Sequence, residues 1–146
     1  MDKLLHIVLV EPKIPANTGN LIRLTANMGG SLHLIHPLGF ELENTKLRRA
    51  GLDYADLSQV YEYDSFQSYA EAYSERRLIF FTTKGAASYS DISYSQQDSL
   101  IFGSEDIGLD DDLLNSHTEG IRSYIPMMPG NRSINLSNAV AIVSYE

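Results

Sequence analysis

Short apolar runs recur along the chain, and they constrain its fold more than any other feature. The first, Leu4–Val10, is interrupted only by His6 and ends at Glu11-Pro12. A continuous run of this length is typical of a strand buried on both faces, as strands of parallel sheets are. His6 is therefore expected to be a packed strand histidine. Five further strands are predicted: Ser31–His36, Gln59–Tyr63, Leu78–Thr83, Leu100–Phe102 and Ile121–Ile125.

Helical segments separate these runs. Residues 12–20 are expected to form a loop in which Asn17 or Thr18 caps a helix that ends at Gly29-Gly30. The polar range 86–98 is also expected to be a loop. A second helix is predicted from apolar residues at helical spacing: Phe66, Tyr69, Ala70 and Tyr73. Strands that alternate with helices predict an α/β fold with a mostly parallel sheet flanked by helices.

Length and composition bound the class of protein. A chain of 146 residues predicts one domain, and a hydrophobic content of 43% is typical of a globular protein. The absence of cysteine excludes disulfide frameworks and cysteine-based metal sites. No apolar run approaches the ~18 residues of a membrane span, and the first residues lack the pattern of a signal peptide. We therefore expect a soluble, cytoplasmic protein.

The formal net charge of −8 argues against broad, sequence-independent binding to nucleic acid. It leaves room for a local basic patch, whose candidates are Arg23, Lys46, Arg48, Arg49, Lys84, Arg122 and Arg132.

The first predicted helix carries one narrow polar stripe. At about 100° per residue, Asn20, Arg23 and Asn27 fall on the same side of the helix, and the remaining circumference is mostly apolar. The arginine must then reach solvent, a carboxylate or a ligand, and an internal ion pair is an equally acceptable interpretation.

The last 22 residues, Ile125–Glu146, combine a rigid loop with a polar helix start. Pro126 and Pro129 fix the backbone, and Gly130 allows a path that other residues resist. A helix is predicted to begin among the capping residues that follow, Ser133, Asn135 and Ser137. Such a helix start suits an anionic or polar ligand, although a well-capped buried helix explains the same pattern.

Three consecutive acidic residues, Asp110, Asp111 and Asp112, also mark a helix start. Consecutive residues do not face one another, so we interpret them as a cap and not as a metal site. The chain has neither a dinucleotide-binding glycine motif after its first strand nor a P-loop.

Loops at three strand ends, 82–85, 103–108 and 126–133, share a position where open α/β sheets bind ligands. Five segments carry a family pattern, within a resemblance that runs from about Ile7 to Glu146: EPKIPANTGNLIRLTANMG, LRRAGLDY, TTKG, FGSEDIGL and IPMMPGNRSINLSNAV. With these segments the chain resembles the SPOUT superfamily of RNA methyltransferases. The resemblance is closest to the branch that methylates the 2′-hydroxyl of the tRNA wobble nucleotide, cytidine or carboxymethylaminomethyluridine.

The resemblance implies properties that composition alone does not. It implies a C-terminal trefoil knot, against the general rule that chains are un-knotted, and a bent S-adenosylmethionine held by the knotted loops. It further implies a homodimer that binds the tRNA anticodon loop and needs no metal. Residues 1–146 would form a single SPOUT domain that stops within the last helix, because relatives usually run further.

Site residues follow from the same resemblance, position by position. Those implied for the cofactor are Phe81, Thr82, Gly103, Ile125, Met127 and Ser133. Those implied for catalysis are Arg23, Glu105, Ser133 and Asn135. Contacts to RNA are expected from Arg48, Arg49, Lys84 and Arg132.

This chain departs from the family pattern in the loop after the predicted strand Leu100–Phe102. Ser104 and Asp110 stand where proline is frequent, and Ile107 stands where a basic residue is frequent. The changes weaken an expected positive contact to substrate and leave the cofactor pocket intact. Two other functions stay open: methylation of another tRNA or ribosomal RNA position, and a non-catalytic RNA- or nucleotide-binding module.

Overall fold

A seven-stranded sheet forms the centre of the computed structural model, which describes residues 5–41, 59–129 and 134–146. The strands lie in the order β3-β2-β1-β6-β4-β7-β5, and every pairing is parallel. Their bounds are β1 His6–Val10, β2 Ser31–Ile35, β3 Val60–Tyr63, β4 Arg77–Phe81, β5 Ala87–Ser88, β6 Asp98–Phe102 and β7 Ile121–Tyr124. The predicted parallel α/β architecture is confirmed.

Helices cover both faces of the sheet. The described α-helices are α1 Pro15–Met28, α2 Phe66–Ala72, α3 Asp111–Ser116 and α4 Leu136–Ser144, with a short 3-10 turn at Tyr89–Asp91. None of the described helices has the length and apolar character needed to cross a membrane.

Two hydrophobic cores follow from the alternation of strand side chains. On one face Ile7 and Leu9 pack in a cluster with the apolar residues of α1 and α4. On the other face Val8 and Val10 share a cluster with residues of α2 and α3. β1 is buried along its whole length, which confirms the interpretation of its apolar run.

The order of the strands brings three strand ends together. β6 lies between β1 and β4, and β7 pairs with the other edge of β4. Because all the strands are parallel, the loops that leave β6, β4 and β7 emerge at one edge, where α/β sheets bind ligands.

The start of α1 differs from the prediction. Asn17 and Thr18 do not cap the helix; they lie inside it and are buried, and the helix begins at Pro15. Proline suits a first helical turn because its φ is already helical and its missing N–H has no partner there anyway. The Ile14 carbonyl accepts from the N–H groups of Asn17 and Thr18, at 3.1 and 3.4 Å, but the Ile14 side chain makes no cap hydrogen bond. A side-chain acceptor at this helix start must therefore come from elsewhere in the chain.

The expected loop at 86–98 is only partly a loop. It contains β5, the 3-10 turn and, at Asp98, the first residue of β6. β5 is held by β7, where the Ser123 hydroxyl donates to the carbonyl of Ala87 at 2.9 Å. A strand of two residues, one alanine and one serine, carries no periodic signal, which is why the sequence pattern missed it. The prediction for His6 is confirmed, since it is 8% exposed within β1.

Candidate functional site

A cleft opens at the carboxyl ends of β4, β6 and β7 and is bordered by the start of α4. Its floor contains Phe81 and Phe102, whose rings stack with centroids 4.7 Å apart and planes 10° from parallel. Further apolar lining comes from Leu109, Ile125, Met127, Ile134, Leu136 and Ala139. An apolar floor with polar groups at its rim is typical of a small-molecule site.

The loop after β6 forms the tightest wall of the cleft. The N–H of Gly108 donates to the carbonyl of Ser104 at 3.0 Å, and the Ser104 hydroxyl donates to Asp106 Oδ1 at 3.0 Å. A Cβ on Gly103 would lie 2.1 Å from the carbonyl carbon of Gly108. Glycine is therefore required at 103 by the closure of the loop on itself, a need that the sequence pattern did not reveal.

Glu105 connects this loop to α1. Its carboxylate accepts hydrogen bonds from the N–H groups of Lys13 at 2.9 Å and Ile14 at 2.7 Å, and from the Asn17 amide at 3.2 Å. A carboxylate at a helix N-terminus is also favoured by the helix dipole. Glu105 thus supplies, from about ninety residues away in sequence, the cap that α1 lacks locally.

Asn17 links the same helix to the start of α4. Its side-chain oxygen accepts from the Asn135 amide and from the Ser137 hydroxyl, both at 3.2 Å. Asn135 in turn caps α4 by accepting from the N–H of Asn138 at 3.2 Å, which confirms that the helix begins among the predicted capping residues. Three separate chain segments therefore meet at one asparagine, which is 6% exposed.

Sequence reasoning gave Asn17 only a capping role and so missed its position between segments. A signal was present, because an asparagine beside apolar helix residues needs partners for both its donors and its acceptor.

The cofactor residues expected from the sequence come together in the cleft, as far as the structure describes them. The lining includes Phe81, Thr82, Gly103, Ile125 and Met127. Ser133, the sixth, lies outside the described residues.

The expected catalytic residues occupy different places. Glu105 lines the cleft, and Asn135 lies behind it in the Asn17 network. Arg23 is exposed on α1, together with Asn20 and Asn27 of its polar stripe, and is not among the residues that line the cleft.

One of the four expected RNA contacts can be placed. Lys84 lies at the cleft, exposed, with its Nζ 3.5 Å from Asp111 Oδ1. Arg48, Arg49 and Arg132 lie outside the described residues.

The charged rim includes two residues that sequence reasoning did not select. Lys13 Nζ donates to Asp106 Oδ2 at 2.9 Å, and this hydrogen bond lowers the pKa of the Asp106 carboxyl. Ile107, 70% exposed, occupies the position where a basic residue was expected. The rim of this loop therefore carries an apolar side chain at Ile107 and, at Asp106, a carboxylate that is already paired with Lys13.

The acidic helix start is a cap, as predicted. Asp110 accepts from the N–H of Asp112 at 3.0 Å and begins α3. Among the residues that the structure describes, no group of three or more His, Asp or Glu is arranged to hold a metal ion.

Comparisons with known proteins agree with this geometry. Residues 4–145 match the model of the SpoU rRNA Methylase family. The chain belongs to this family. It is 47% identical over 143 residues to the tRNA (cytidine(34)-2′-O)-methyltransferase of Escherichia coli (strain K12), covering 98% of this chain and 91% of that protein. It is 46% identical over 140 residues to the protein of the same name from Methylovorus glucosotrophus (strain SIP3-4), covering 96% and 91%.

Solved structures of family members share the fold. One, described as giving insight into the 2-OH methylation of C/U34 on tRNA, has a TM-score of 0.89 and 40% identity and covers 98% of this chain and 93% of its own. The SpoU methyltransferase AviRb from Streptomyces viridochromogenes, solved with AdoMet, has a TM-score of 0.81 and covers 99% and 57%. At 22% identity the second shows the fold alone.

Proposed function

We propose that this chain is an S-adenosylmethionine-dependent enzyme that methylates the 2′-hydroxyl of the wobble nucleotide of tRNA, cytidine or carboxymethylaminomethyluridine at position 34. The supporting observation is a cleft built from the three strand-end loops in a chain that is 46–48% identical to relatives named for that reaction. A tRNA substrate supports a cytoplasmic location.

The cleft fits the cofactor in chemical character. The stacked pair Phe81 and Phe102 offers an apolar floor for a flat purine, and the backbone around Gly103 and Ile125 offers polar groups at its rim. Met127, Thr82 and Ser133 would complete the enclosure. When bound, the cofactor supplies an electrophilic methyl group on a sulfonium.

The chain must then make a ribose hydroxyl reactive. A hydroxyl is a poor nucleophile until its proton is drawn away or its developing charge is stabilised. Arginine keeps its proton in proteins, because its pKa lies above about 12. Arg23 therefore acts as a clamp on the neighbouring phosphate and as a stabiliser of the forming alkoxide, and Ser133 and Asn135 orient the ribose.

Position is supplied by the bonds that hold α1. Glu105 anchors the first turn of the helix that carries Arg23, and Asn17 ties the same helix to Asn135. Correct placement of reacting groups accounts for a large share of enzymatic acceleration. These bonds support a role for Glu105 and Asn17 in positioning the catalytic groups.

The family resemblance also leads us to infer a trefoil knot and a homodimer. The insertion of β6 between β1 and β4, with α4 returning to pack against α1, is compatible with a knotted path. Ile142 on α4 and Tyr145 at its C-cap are exposed, at 39% and 69%, and offer apolar surface for a second copy. RNA would bind across the dimer on Arg48, Arg49, Lys84 and Arg132, with affinity that falls steeply as salt rises.

The deciding experiment is transfer of a labelled methyl group from S-adenosylmethionine to total tRNA, followed by nucleoside mapping. We expect label at the wobble ribose. Label at another tRNA position, or on ribosomal RNA, would show that the reaction is the proposed one but that the substrate is a different RNA position. Calorimetric binding of cofactor without any methyl transfer would make the chain a non-catalytic module.

A matched pair of variants tests the role of the arginine. Arg23→Ala should abolish turnover while cofactor affinity survives, because Arg23 does not line the described cleft. Gln97→Ala is the control, since Gln97 is exposed, does not line the described cleft, and should leave turnover unchanged. Parallel loss of cofactor affinity in Arg23→Ala would show that Arg23 is structural.

A further inference from the structure

A second cavity lies at the opposite end of the sheet, where the strands begin. It is lined by the amino ends of β1, β2 and β3 and by the segment after α2, and its polar lining includes His6, Ser31, His33, Gln59, Tyr73 and Arg76. None of the described residues that line it is acidic. The chain has a net charge of −8, so a cavity that contains a cation and no described carboxylate is unusual in it.

The cation is Arg76, which sits on an aromatic surface. Its guanidinium carbon lies 3.8 Å from the centre of the Tyr73 ring, and its Nη1 donates to the Tyr69 hydroxyl at 3.3 Å. Its Nε is buried and has no hydrogen-bond partner. A neutral hydroxyl and an aromatic face leave most of this guanidinium's donor capacity unused.

Other basic residues of the chain differ from Arg76 in having a carboxylate partner. Arg77 donates from Nε and Nη2 to the two carboxylate oxygens of Asp98, at 2.9 and 2.7 Å. Lys13 and Lys84 also face carboxylates, Asp106 and Asp111. Arg76 forms no ion pair with any residue that the structure describes. Arg76 is half-buried, and withdrawing a charge from water is costly unless a counter-charge accompanies it. The described part of the cavity contains no such counter-charge.

The two histidines of the cavity add no positive charge to it. One hydrogen-bonded chain runs from His6 through Ser31 to His33, over 3.0 and 2.9 Å, and His33 also bonds the Tyr63 hydroxyl at 2.8 Å. Burial, and then the charge of Arg76, lower the pKa of His6 to about 4 and of His33 to about 3. Both rings are neutral at pH 7, and Arg76 supplies the positive charge.

From this geometry we infer that the amino-end cavity is a binding site for a small oxyanion, a phosphate or a carboxylate group, held by Arg76. A metal ion does not suit the cavity, since both ring nitrogens of His33 are already hydrogen-bonded and a guanidinium lies beside them. The oxyanion would accept from the guanidinium, and it would supply a counter-charge that Arg76 does not receive from any described residue.

Binding of inorganic phosphate tests the site directly. In the full chain at pH 7, phosphate should produce saturable shifts in the NMR signals of the Arg76 and Tyr73 side chains, which sodium chloride at equal ionic strength does not reproduce. Sodium acetate in a second titration distinguishes a carboxylate-selective from a phosphate-selective site. Absence of saturable shifts with both anions would overturn the inference.

Two substitutions localise the binding. Arg76→Gln should weaken phosphate binding by about tenfold or more, because it removes a charge-assisted contact. Gln59→Glu places a negative charge at the mouth of the cavity, on an exposed side chain, and should weaken binding severalfold while Arg76 stays in place. Its control is Gln97→Glu, which adds the same charge at an exposed position outside the cavity lining.

If Arg76→Gln does not fold, the comparison of Gln59→Glu with Gln97→Glu still tests whether the anion binds in this cavity. Equal affinity in Gln59→Glu and Gln97→Glu, or unchanged affinity in a folded Arg76→Gln, would place the anion elsewhere. The test does not depend on methyl transfer, because the cavity lies at the end of the sheet remote from the cofactor cleft.

Discussion

The two ends of the sheet solve the same problem, the placement of polar groups beside an apolar core, in different ways. At the carboxyl end the polar groups belong to loops, and bonds such as those of Glu105 and Asn17 join segments far apart in sequence. At the amino end they belong to strands, and His33, Ser99 and Asp98 are each at most 1% exposed. The comparison indicates that polar residues at the loop end can be substituted without disturbing the core. Polar residues at the strand end are buried in the core, so their substitution disturbs it.

This difference predicts that a substitution at the loop end will reduce function more than stability unless it touches the backbone. At the strand end, a substitution of a buried polar group should reduce stability first. Four experiments test this division, and Gly103 is the case at the loop end where backbone packing intervenes.

Gly103→Ala should have the largest effect. The added Cβ would meet the backbone of Gly108 at 2.1 Å, so the loop must open, at a cost of about 3 kcal/mol as overpacking commonly gives. Urea unfolding measures the cost, and calorimetry should show that S-adenosylmethionine binding is lost. Gly108→Ala is the control, since its Cβ meets nothing within 4 Å and only the φ of +74° is strained, at about 1 kcal/mol. Similar losses in the two variants would show that crowding at 103 is not the cause.

Asp98→Asn should be next. The Asp98 carboxylate accepts from Arg77 and from the N–H of Ser95 at 2.8 Å, and these bonds hold its pKa below the usual range despite burial, which alone would raise it. Loss of the charge leaves the guanidinium without its counter-ion, at a cost of roughly 2 kcal/mol, because Arg77 is partly exposed. Urea unfolding measures the loss. Asp91→Asn, at an exposed position, should cost little; equal losses would refute the role of the pair.

Acid should destabilise the strand end before it affects the carboxylates. The folded-state pKa values of His6 and His33, about 4 and about 3, lie below the ordinary 6.5. The unfolded chain therefore binds more protons in this range, and stability is complete above pH 6.5 and falls as the pH drops toward 4. Each histidine contributes about 1.4 kcal/mol per pH unit, so the change from pH 7 to 5.5 should cost roughly 2 kcal/mol.

Urea unfolding at the two pH values measures this dependence. His33→Gln should make it shallower, whereas His36→Gln, which alters a more exposed ring paired with Glu62, should not. Stability that does not change between pH 7 and 5.5 would show that the buried histidines are not neutral.

Glu105→Gln should have the smallest effect on stability, about 1 kcal/mol, because glutamine retains one acceptor for the start of α1. Its amide would face the N–H groups of Lys13 or Ile14, so the helix that carries Arg23 should shift. We expect a large fall in kcat for tRNA with little change in cofactor affinity. Glu75→Gln, at an exposed position, is the control; an unchanged kcat in Glu105→Gln would remove the positioning role.

Local patterns predicted the parts of the structure that local forces determine. The apolar run of β1, the αL glycine at Gly29 and the aspartate cap of α3 each carry their signal within a few residues. The start of α1 was misplaced because its cap, Glu105, is supplied across the fold. The packing requirement for glycine at 103 could not be predicted for a similar reason, since its neighbour Gly108 is close only after the loop has closed.

The same distinction between local and long-range determinants applies to the candidate site. The residues expected to line the cleft do so where they are described, because the carboxyl edge of a parallel sheet brings successive loops together. Asn17 was missed because its role depends on two partners, Glu105 and Asn135, that no spacing in the sequence connects.

The insertion of β6 between β1 and β4 also has a consequence for biosynthesis. A ribosome releases the chain from its first residue onward, so β1 and β2 can pair early while the other edge of β1 waits for residues 98–102. During that interval the nascent protein presents an unpaired apolar strand edge, a template for association with other chains. The order of the strands therefore makes the synthesis of residues 36–97 the period in which this protein most needs a chaperone.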